Sequence, residues 1–237
     1  MPTPTPIPYT PDAKFYSSIS TTYEYAFSHD AGLHSFLSLT LSHLPPSSKI
    51  LDAGCGTGKP VASTLSAAGH SVLGIDISPS MVDRSREAAP DAQFQVADMR
   101  TFAPEGDGEG NFDAVFNILS LFILSREEME NMAKKWASWI KKDGLLFICT
   151  IAAEDLEHPD GDERQGVTDP DGLCVRDIGV QFMGRTVHVT LFTREGWRVL
   201  LEGNGFEIVE ASTQTFVPPE EAQSDEEPHY FIIARKT

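Results

Sequence analysis

Apolar positions change period several times along the chain, and each change marks an element. Between residues 33 and 44, Leu33, Phe36, Leu37, Leu41 and Leu44 recur at helical spacing, and Pro45-Pro46 stops the helix. Lys49-Ile50-Leu51-Asp52 then reads as a short buried strand running into Ala53-Gly54-Cys55-Gly56-Thr57-Gly58. Pro60 suits the first position of a helix reaching residue 68, where its missing N–H costs nothing. Residues 71 to 76 predict a second strand, Ser78-Pro79 the cap of a helix through residue 89, and residues 93 to 97 a third strand. Residues 112 to 118 are apolar on both faces, as at the centre of a parallel sheet. Ser125 with Glu128 predicts a capping box for a helix through residue 141, with Met129, Met132, Trp136 and Ile140 inward. A fifth strand covers residues 144 to 151.

The alternation then breaks. Residues 152 to 185 are polar and turn-rich, and residues 186 to 191 read as a strand that follows them. Thr193 caps a helix through residue 201, Gly203-Asn204-Gly205 ends it, and strands follow at residues 206 to 211 and 230 to 234. Strand–helix alternation with right-handed crossovers predicts an α/β fold. The expected form is a doubly wound, mostly parallel, seven-stranded Rossmann-like sheet with an antiparallel last strand. The alternating prolines of residues 1 to 11 predict a loose, flexible arm. Residues 12 to 237 are expected to form one domain, with 152 to 190 as an insertion on the substrate side.

Length and charge narrow the function classes. The 237 residues suit one α/β domain, and 41% hydrophobic with 22% charged residues is ordinary for a folded globular chain. Thirty-five acids against 18 Lys plus Arg give a net charge of -17, which argues against nucleic acid or an anionic membrane as partner. Seventeen of those acids lie in residues 105 to 109, 154 to 177 and 220 to 227, which predicts three solvated acidic loops around a nearly neutral domain. Cys55, Cys149 and Cys174 are too scattered for a disulfide framework or a zinc site, so no metal and a reduced, cytoplasmic setting are expected. No run reaches the ~18 apolar residues of a membrane span, and the N-terminus lacks the basic start and apolar core of a signal peptide. Oligomeric state has no signature in the sequence.

Three glycine-loop chemistries compete at residues 53 to 58. A phosphate-binding loop would need Gly at 53 and a hydroxyl at 60, where Ala53 and Pro60 stand. A dinucleotide loop would need Gly-x-Gly-x-x-Gly, whereas the glycines here are at 54, 56 and 58. The whole run from Ile50 to Gly58 instead resembles the first motif of class I S-adenosylmethionine-dependent methyltransferases. Gly74-Ile75-Asp76-Ile77-Ser78 resembles their second motif, Ala97-Asp98-Met99 their third, and Phe112-Asp113-Ala114-Val115-Phe116-Asn117 their fourth. Phe192-Thr193-Arg194-Glu195-Gly196-Trp197 with Gly205-Phe206 resembles the helix that precedes their sixth strand.

The resemblance is to the small-molecule branch of that family. It implies S-adenosyl-L-methionine as cofactor, a small-molecule acceptor, and methyl transfer to an O, N, S or C nucleophile. The implied cofactor-binding set is Tyr16, Tyr23, Asp52, Ala53, Gly54, Cys55, Gly56, Gly58, Asp76, Ile77, Met81, Asp98, Met99 and Asn117. Within it, Asp76 would accept the ribose hydroxyls and Asp98 the adenine amino group. Tyr16 or Tyr23, on a helix like the one that closes over the cofactor in that branch, would reach the methionine carboxylate, with a packing role as the alternative for each. Asn117 is followed by Ile118-Leu119-Ser120 rather than Pro-Pro-aromatic, which argues against adenine or glutamine as acceptor and leaves it at the cofactor side or at the strand end.

Cys55 has no base beside it and reads as a small residue near the cofactor. His188, His29 and the acids of the insertion are the candidate bases, each histidine with an alternative as an ordinary surface or strand histidine. Phe182, Met183 and Trp197 are candidate lining residues of the acceptor pocket, with core packing as the alternative for Trp197. A protein using the same cofactor for another reaction, such as a cyclisation, would carry the same motifs.

Overall fold

The computed structural model describes residues 11–104, 110–156 and 165–237. The chain begins with α1 (Pro11–Phe27), α2 (Ala31–His43) and β1 (Lys49–Ala53), then α3 (Val61–Ala67) and β2 (Ser71–Asp76). Next come α4 (Pro79–Ala88), β3 (Gln93–Val96), β4 (Phe112–Ile118), α5 (Arg126–Trp139) and β5 (Ile140–Ile151). A small three-stranded sheet follows, made of β6 (Val167–Thr168), β7 (Cys174–Phe182) and β8 (Arg185–Phe192). The chain closes with α6 (Arg194–Glu202), β9 (Phe206–Phe216) and β10 (Glu227–Lys236). Most of the arm expected at residues 1 to 11 lies outside the described residues; Pro11 itself begins α1.

The main sheet has the order β3-β2-β1-β4-β5-β10-β9. β1 to β5 pair in parallel, and only β10 runs antiparallel to its neighbours, β5 and β9. This is the doubly wound sheet with an antiparallel last strand that the sequence predicts. Successive residues point to opposite faces. Ile50, Phe116, Phe147 and Phe231 therefore pack under α2 and α3, against Leu33, Phe36, Leu37, Val61 and Leu65. Leu51, Val115, Ile148 and Ile232 pack on the other side, against Met132, Trp136, Trp197 and Leu201 of α5 and α6. The caps fall where the sequence places them: Ser78 accepts from Met81 N, Ser125 and Glu128 form a reciprocal box, and Thr193 accepts from Gly196 N.

Several boundaries move, each for a tertiary reason. α5 stops at Trp139 because Ile140 already pairs with Phe112 in the sheet. Pro60 is the N-cap of α3, not its first helical residue. β9 runs five residues past residue 211 because β10 supplies a ladder for the polar stretch, from Ala211 opposite Ile232 to Phe216 opposite Glu227. β7 has no counterpart in the sequence reading: β8 pairs along it, while Ile178 and Val189 pack with Ile151 and Leu191 in a core of their own.

The acidic segments are not simply solvated loops. Residues 105–109 and 157–164 lie outside the described residues. Among the others, Asp169 joins Arg126 (2.7 Å) and Arg176 (2.7 Å), and Arg126 also holds Asp171 (2.6 Å) and Glu130 (2.9 Å). Arg194 holds Asp155 at 2.6 Å. These pairs fasten the small sheet and its approach to α5 and α6, so much of the acidity is structural.

One buried polar cluster ties α2 to the last strand. Asp30 caps α2 through Leu33 N (3.1 Å), and its other oxygen meets His229 Nδ1 at 2.8 Å; Nε2 of the same ring meets Glu227 Oε2 at 2.9 Å. Burial alone would lower the imidazole pKa, but hydrogen bonds to the two carboxylates outweigh it and raise the pKa to about 9. An unfolded histidine titrates near 6.5. The stability this contributes is therefore complete below about pH 6.5 and lost as pH rises through 9. We expect the urea midpoint of the wild-type chain to fall across that window by the equivalent of roughly 1–3 kcal/mol relative to His229→Gln. Parallel pH profiles for the two proteins would refute the buried imidazolium.

Candidate active site

In an open α/β sheet the crevice lies beyond the carboxyl ends of the strands, where the strand order reverses. Here that point lies between β1 and β4. β1 ends in a turn whose Gly54 and Cys55 amides both donate to Ile75 O of β2, at 2.8 and 3.0 Å. Gly54 sits at φ +81, and a Cβ there would lie 2.4 Å from Ser120 Oγ, so only glycine fits. Gly56, at φ +51, has the opposite environment: a Cβ would meet nothing within 4 Å, because the residue faces open cleft.

Three carboxylates follow from this turn. Asp76, at the end of β2, accepts from Gly56 N (3.0 Å) and Ser78 N (2.8 Å). Burial raises its pKa to about 6 even though both amides favour the charged form. Asp52, on β1, is 1% exposed and its Oδ2 has no hydrogen-bond partner. Burial and the nearby Asp76 charge push it up to about 7. Thr57 Oγ1, buried in the same lobe of the cleft, is also unpartnered. Asp98, after β3, behaves differently. Burial would raise it, but Arg100 forks onto it (Nη2 at 2.7 Å, Nε at 3.0 Å) and holds it below the usual carboxylate range.

The cleft encloses about 760 Å³. Its walls bring together Tyr16, Tyr23, Gly54, Gly56, Asp76, Ile77, Met81, Asp98 and Met99 from the predicted set, and a connecting lobe adds Asp52 and Cys55. The two tyrosines come from α1, which is fastened across the opening by Ser17 Oγ to Ser78 Oγ (2.8 Å), Arg84 Nε to Ser20 Oγ (3.2 Å) and Lys59 to Glu24 (3.0 Å). Tyr23 stacks on Phe27 at 4.8 Å. Burial, and then the charge of Glu227, drive its hydroxyl pKa far upward, so it stays a neutral donor. Burial likewise pushes the Cys55 thiol well above its ordinary value, in keeping with an inert small side chain.

Three predicted residues do not line the cleft. Asn117 is fully buried; its Nδ2 donates to Ala53 O at 2.9 Å and its Oδ1 lies 3.1 Å from Ser120 Oγ, so it pins β4 to β1 and is a strand-end residue. Ala53 is equally buried and serves as acceptor in that bond. Gly58 packs against Ser85 of α4, where a Cβ would lie 2.9 Å from the serine Cβ. Neither histidine is placed as an internal base. His29 is exposed and lines neither the cleft nor the lobe that holds Asp52, and His188 is 60% exposed with Nδ1 2.8 Å from Asp177 Oδ1. Arg100, Thr57 and Ser120 escaped the sequence reading. Arg100 stands two residues after Asp98, a spacing that allows a local fork, but nothing in the sequence says which way the guanidinium turns.

A second chamber, of about 990 Å³, meets the cleft at Tyr16 and Ile123. β7 and β8 supply Val180, Phe182, Val187, His188 and Val189 to it, and the segment preceding β10 supplies Asp225 and Glu226. Phe182 is thus a lining residue, as expected. Met183 packs instead beside Phe27 and Phe216, and Trp197 is 1% exposed in the main core, so neither lines the chamber.

The carboxylates give a measurable signature. The Asp52 carboxyl carbon should titrate by NMR with a midpoint near 7, and Asp76→Asn should lower that midpoint by removing the neighbouring charge. A midpoint near 4, the ordinary value, would show that Asp52 is not desolvated.

Residues 50–144 match a family model described as a methyltransferase domain. The chain is 25% identical over 182 residues to 2-methyl-6-phytyl-1,4-hydroquinone methyltransferase of Synechocystis, covering 76% of this chain and 52% of that protein. It spans about half the length of the curated relatives it matches first. A SAM-dependent methyltransferase of Methanosarcina mazei superposes with TM-score 0.63 at 22% identity, over 84% of this chain and 96% of that one. A 1,6-didemethyltoxoflavin-N1-methyltransferase of Burkholderia thailandensis superposes with TM-score 0.63 at 19% identity, over 100% and 93%. The matched stretch spans the strands that build the glycine turn, and the solved structures share the fold over nearly their whole length: residues 50–144 are similar to a methyltransferase domain, set in a chain with the fold of those structures.

Proposed function

We propose that this protein transfers a methyl group from S-adenosylmethionine to an O, N, S or C nucleophile of a small-molecule acceptor. The observation that carries the reading is the pair of buried, unpartnered groups, Asp52 Oδ2 and Thr57 Oγ1, beside a glycine turn that leaves open space. Buried polar atoms without partners are rare in folded proteins and call for a ligand that supplies them. The donor set suits this cofactor. An ammonium group would satisfy Asp52, ribose hydroxyls would donate to Asp76, and Ile77, Met81, Met99 and Leu124 offer apolar walls to a purine. Asp98 would face that purine already oriented by Arg100.

Bound S-adenosylmethionine supplies an electrophilic methyl group on a cationic sulfur. This chain's part is to align the acceptor with it and to keep water away, which contributes on the order of 7–11 kcal/mol in well-aligned systems. α1, with Tyr16 and Tyr23, closes the cleft on the side where the second chamber opens. That chamber lies between the small sheet and α1, and its mostly apolar lining with a few polar groups at one end supports a small-molecule acceptor.

Calorimetry with S-adenosylhomocysteine tests the reading. The wild-type chain should bind it, and Asp76→Ala should weaken binding about tenfold to a hundredfold, the worth of one or two charge-assisted hydrogen bonds. Unchanged affinity in that variant would remove Asp76 from the site, and binding of NADH in its place would overturn the cofactor. Mass spectrometry of metabolite extracts incubated with the chain and methyl-labelled cofactor should reveal a product that has gained one methyl group.

A further inference from the structure

The second chamber carries a recognition chemistry of its own. Its body is apolar, with Phe122, Ile151, Val180, Phe182, Val187 and Val189 in the walls. Its polar end is acidic, formed by Asp225, Glu226 and Glu227, and no lysine or arginine stands among the described residues that line it. We propose that the acceptor is an apolar molecule whose reacting end carries an amine or a hydroxyl, and that Glu227 receives that group's hydrogen. The proposal rests on the reading of the neighbouring cleft as a methyl-donor site.

Glu227 differs from its two acidic neighbours in how it is held. Its side chain is 12% exposed, and one carboxylate oxygen is tied to His229 Nε2 at 2.9 Å. The ring is held from its other nitrogen by Asp30, itself fixed as the cap of α2. His229, held between two carboxylates, orients Glu227 beside an apolar wall, where a lone carboxylate would be expensive to bury. Glu227 stands with Asp225 and Glu226 at the acidic end of the chamber, so this end favours a hydrogen-bond donor over an anion. His229 and Asp30 are positioning residues in this arrangement.

The same cluster stands at the seam of the two cavities. Asp30 lines the lobe that contains Asp52 and Thr57, and Glu227 lines the chamber. Tyr23 borders the cofactor cleft, packs on Phe182 of the chamber at 6.2 Å, and feels the Glu227 charge. Asp225 already accepts from Gln181 N at 2.7 Å, and His188, although it also lines the chamber, is 60% exposed and pairs with Asp177. Of the groups at this end, Glu227 is the one that is both sheltered and oriented.

The chemistry balances with these parts. A lone pair on the acceptor's nitrogen or oxygen attacks the methyl carbon, the new bond forms as the carbon–sulfur bond breaks, and that electron pair stays on sulfur as a neutral thioether. The acceptor's proton passes to the Glu227 carboxylate. A sulfonium and a carboxylate thereby become a thioether and a carboxylic acid, with no charge left over.

Three probes of one shape separate the possibilities: phenylbutylamine, phenylbutanol and phenylbutyrate, titrated by calorimetry with and without S-adenosylhomocysteine. We expect the amine and the alcohol to bind at least about tenfold tighter than the carboxylate, because the carboxylate would face Glu227 unpaired. The tighter of the first two identifies the acceptor's donor group. Glu227→Gln should erase the discrimination while binding of S-adenosylhomocysteine persists, and His229→Gln should reduce it. Equal binding of phenylbutyrate by the wild-type chain, or discrimination that survives Glu227→Gln, overturns the proposal. Failure of S-adenosylhomocysteine to bind overturns the methyl-donor reading and Glu227's proton-accepting role with it, while the probe preference, read in its absence, still reports on the acceptor class.

Discussion

Two amides converging on one carbonyl, Gly54 N and Cys55 N on Ile75 O, hold the turn that ends β1. The geometry of the cleft and of its connecting lobe descends from that turn. It carries the backbone back across β2 in a conformation that Ser120 allows only to glycine at residue 54, and it leaves Gly56 facing open space. Because the turn lies at the reversal of strand order, Asp52 from β1 and Asp76 from β2 come within Coulombic reach of each other. Asn117 locks the third strand of the crevice by donating to Ala53 O. The result is a pinned backbone around Asp52, whose Oδ2 the chain itself does not satisfy. Preorganised but incompletely paired groups are what a binding site for a polar ligand requires.

The carboxylates of the cleft differ because their surroundings differ. Asp52 and Asp76 are raised by burial, whereas Asp98 is lowered by the Arg100 guanidinium despite partial burial. Arg126, Arg176 and Arg194 likewise each hold acids of the segment around the small sheet. A chain with a net charge of -17 thus keeps its scarce arginines where they join elements, and leaves its second chamber with an acidic end. Exposed pairs of this kind are individually worth little, but a shared network such as Arg126 with Asp169, Asp171 and Glu130 fixes an orientation.

Much of this was legible along the chain, and the remainder was not, for definite reasons. The parallel strands and their helices could be read because apolar period and capping residues are local, as Ser78, Ser125 and Thr193 illustrate. Asp76 and the glycines could be placed because a strand end and a turn are local features too. β7 was missed because its apolar residues are sparse and its pairing partner, β8, is what makes it a strand. Asn117 reads from the sequence as either a cofactor-side or a strand-end residue, because the bond that turns it inward to Ala53 and decides for the strand end joins residues 64 apart in sequence. The acids of residues 154 to 177 looked solvated because Arg126, which holds two of them, belongs to a different helix.

The Asp30–His229–Glu227 cluster marks the limit most clearly. Asp30 and His229 are separated by 199 positions, and neither stands out in its own segment. The sequence by itself determined which residues form strands and helices, where the glycine turn falls and which carboxylates end the strands, since these follow from periodicity and steric rules acting over a few residues. Only the tertiary structure decided which of those carboxylates are buried, paired or left without a partner. Burial and charge pairing depend on what the rest of the chain brings within a few ångströms, and that distance has no fixed relation to separation along the sequence.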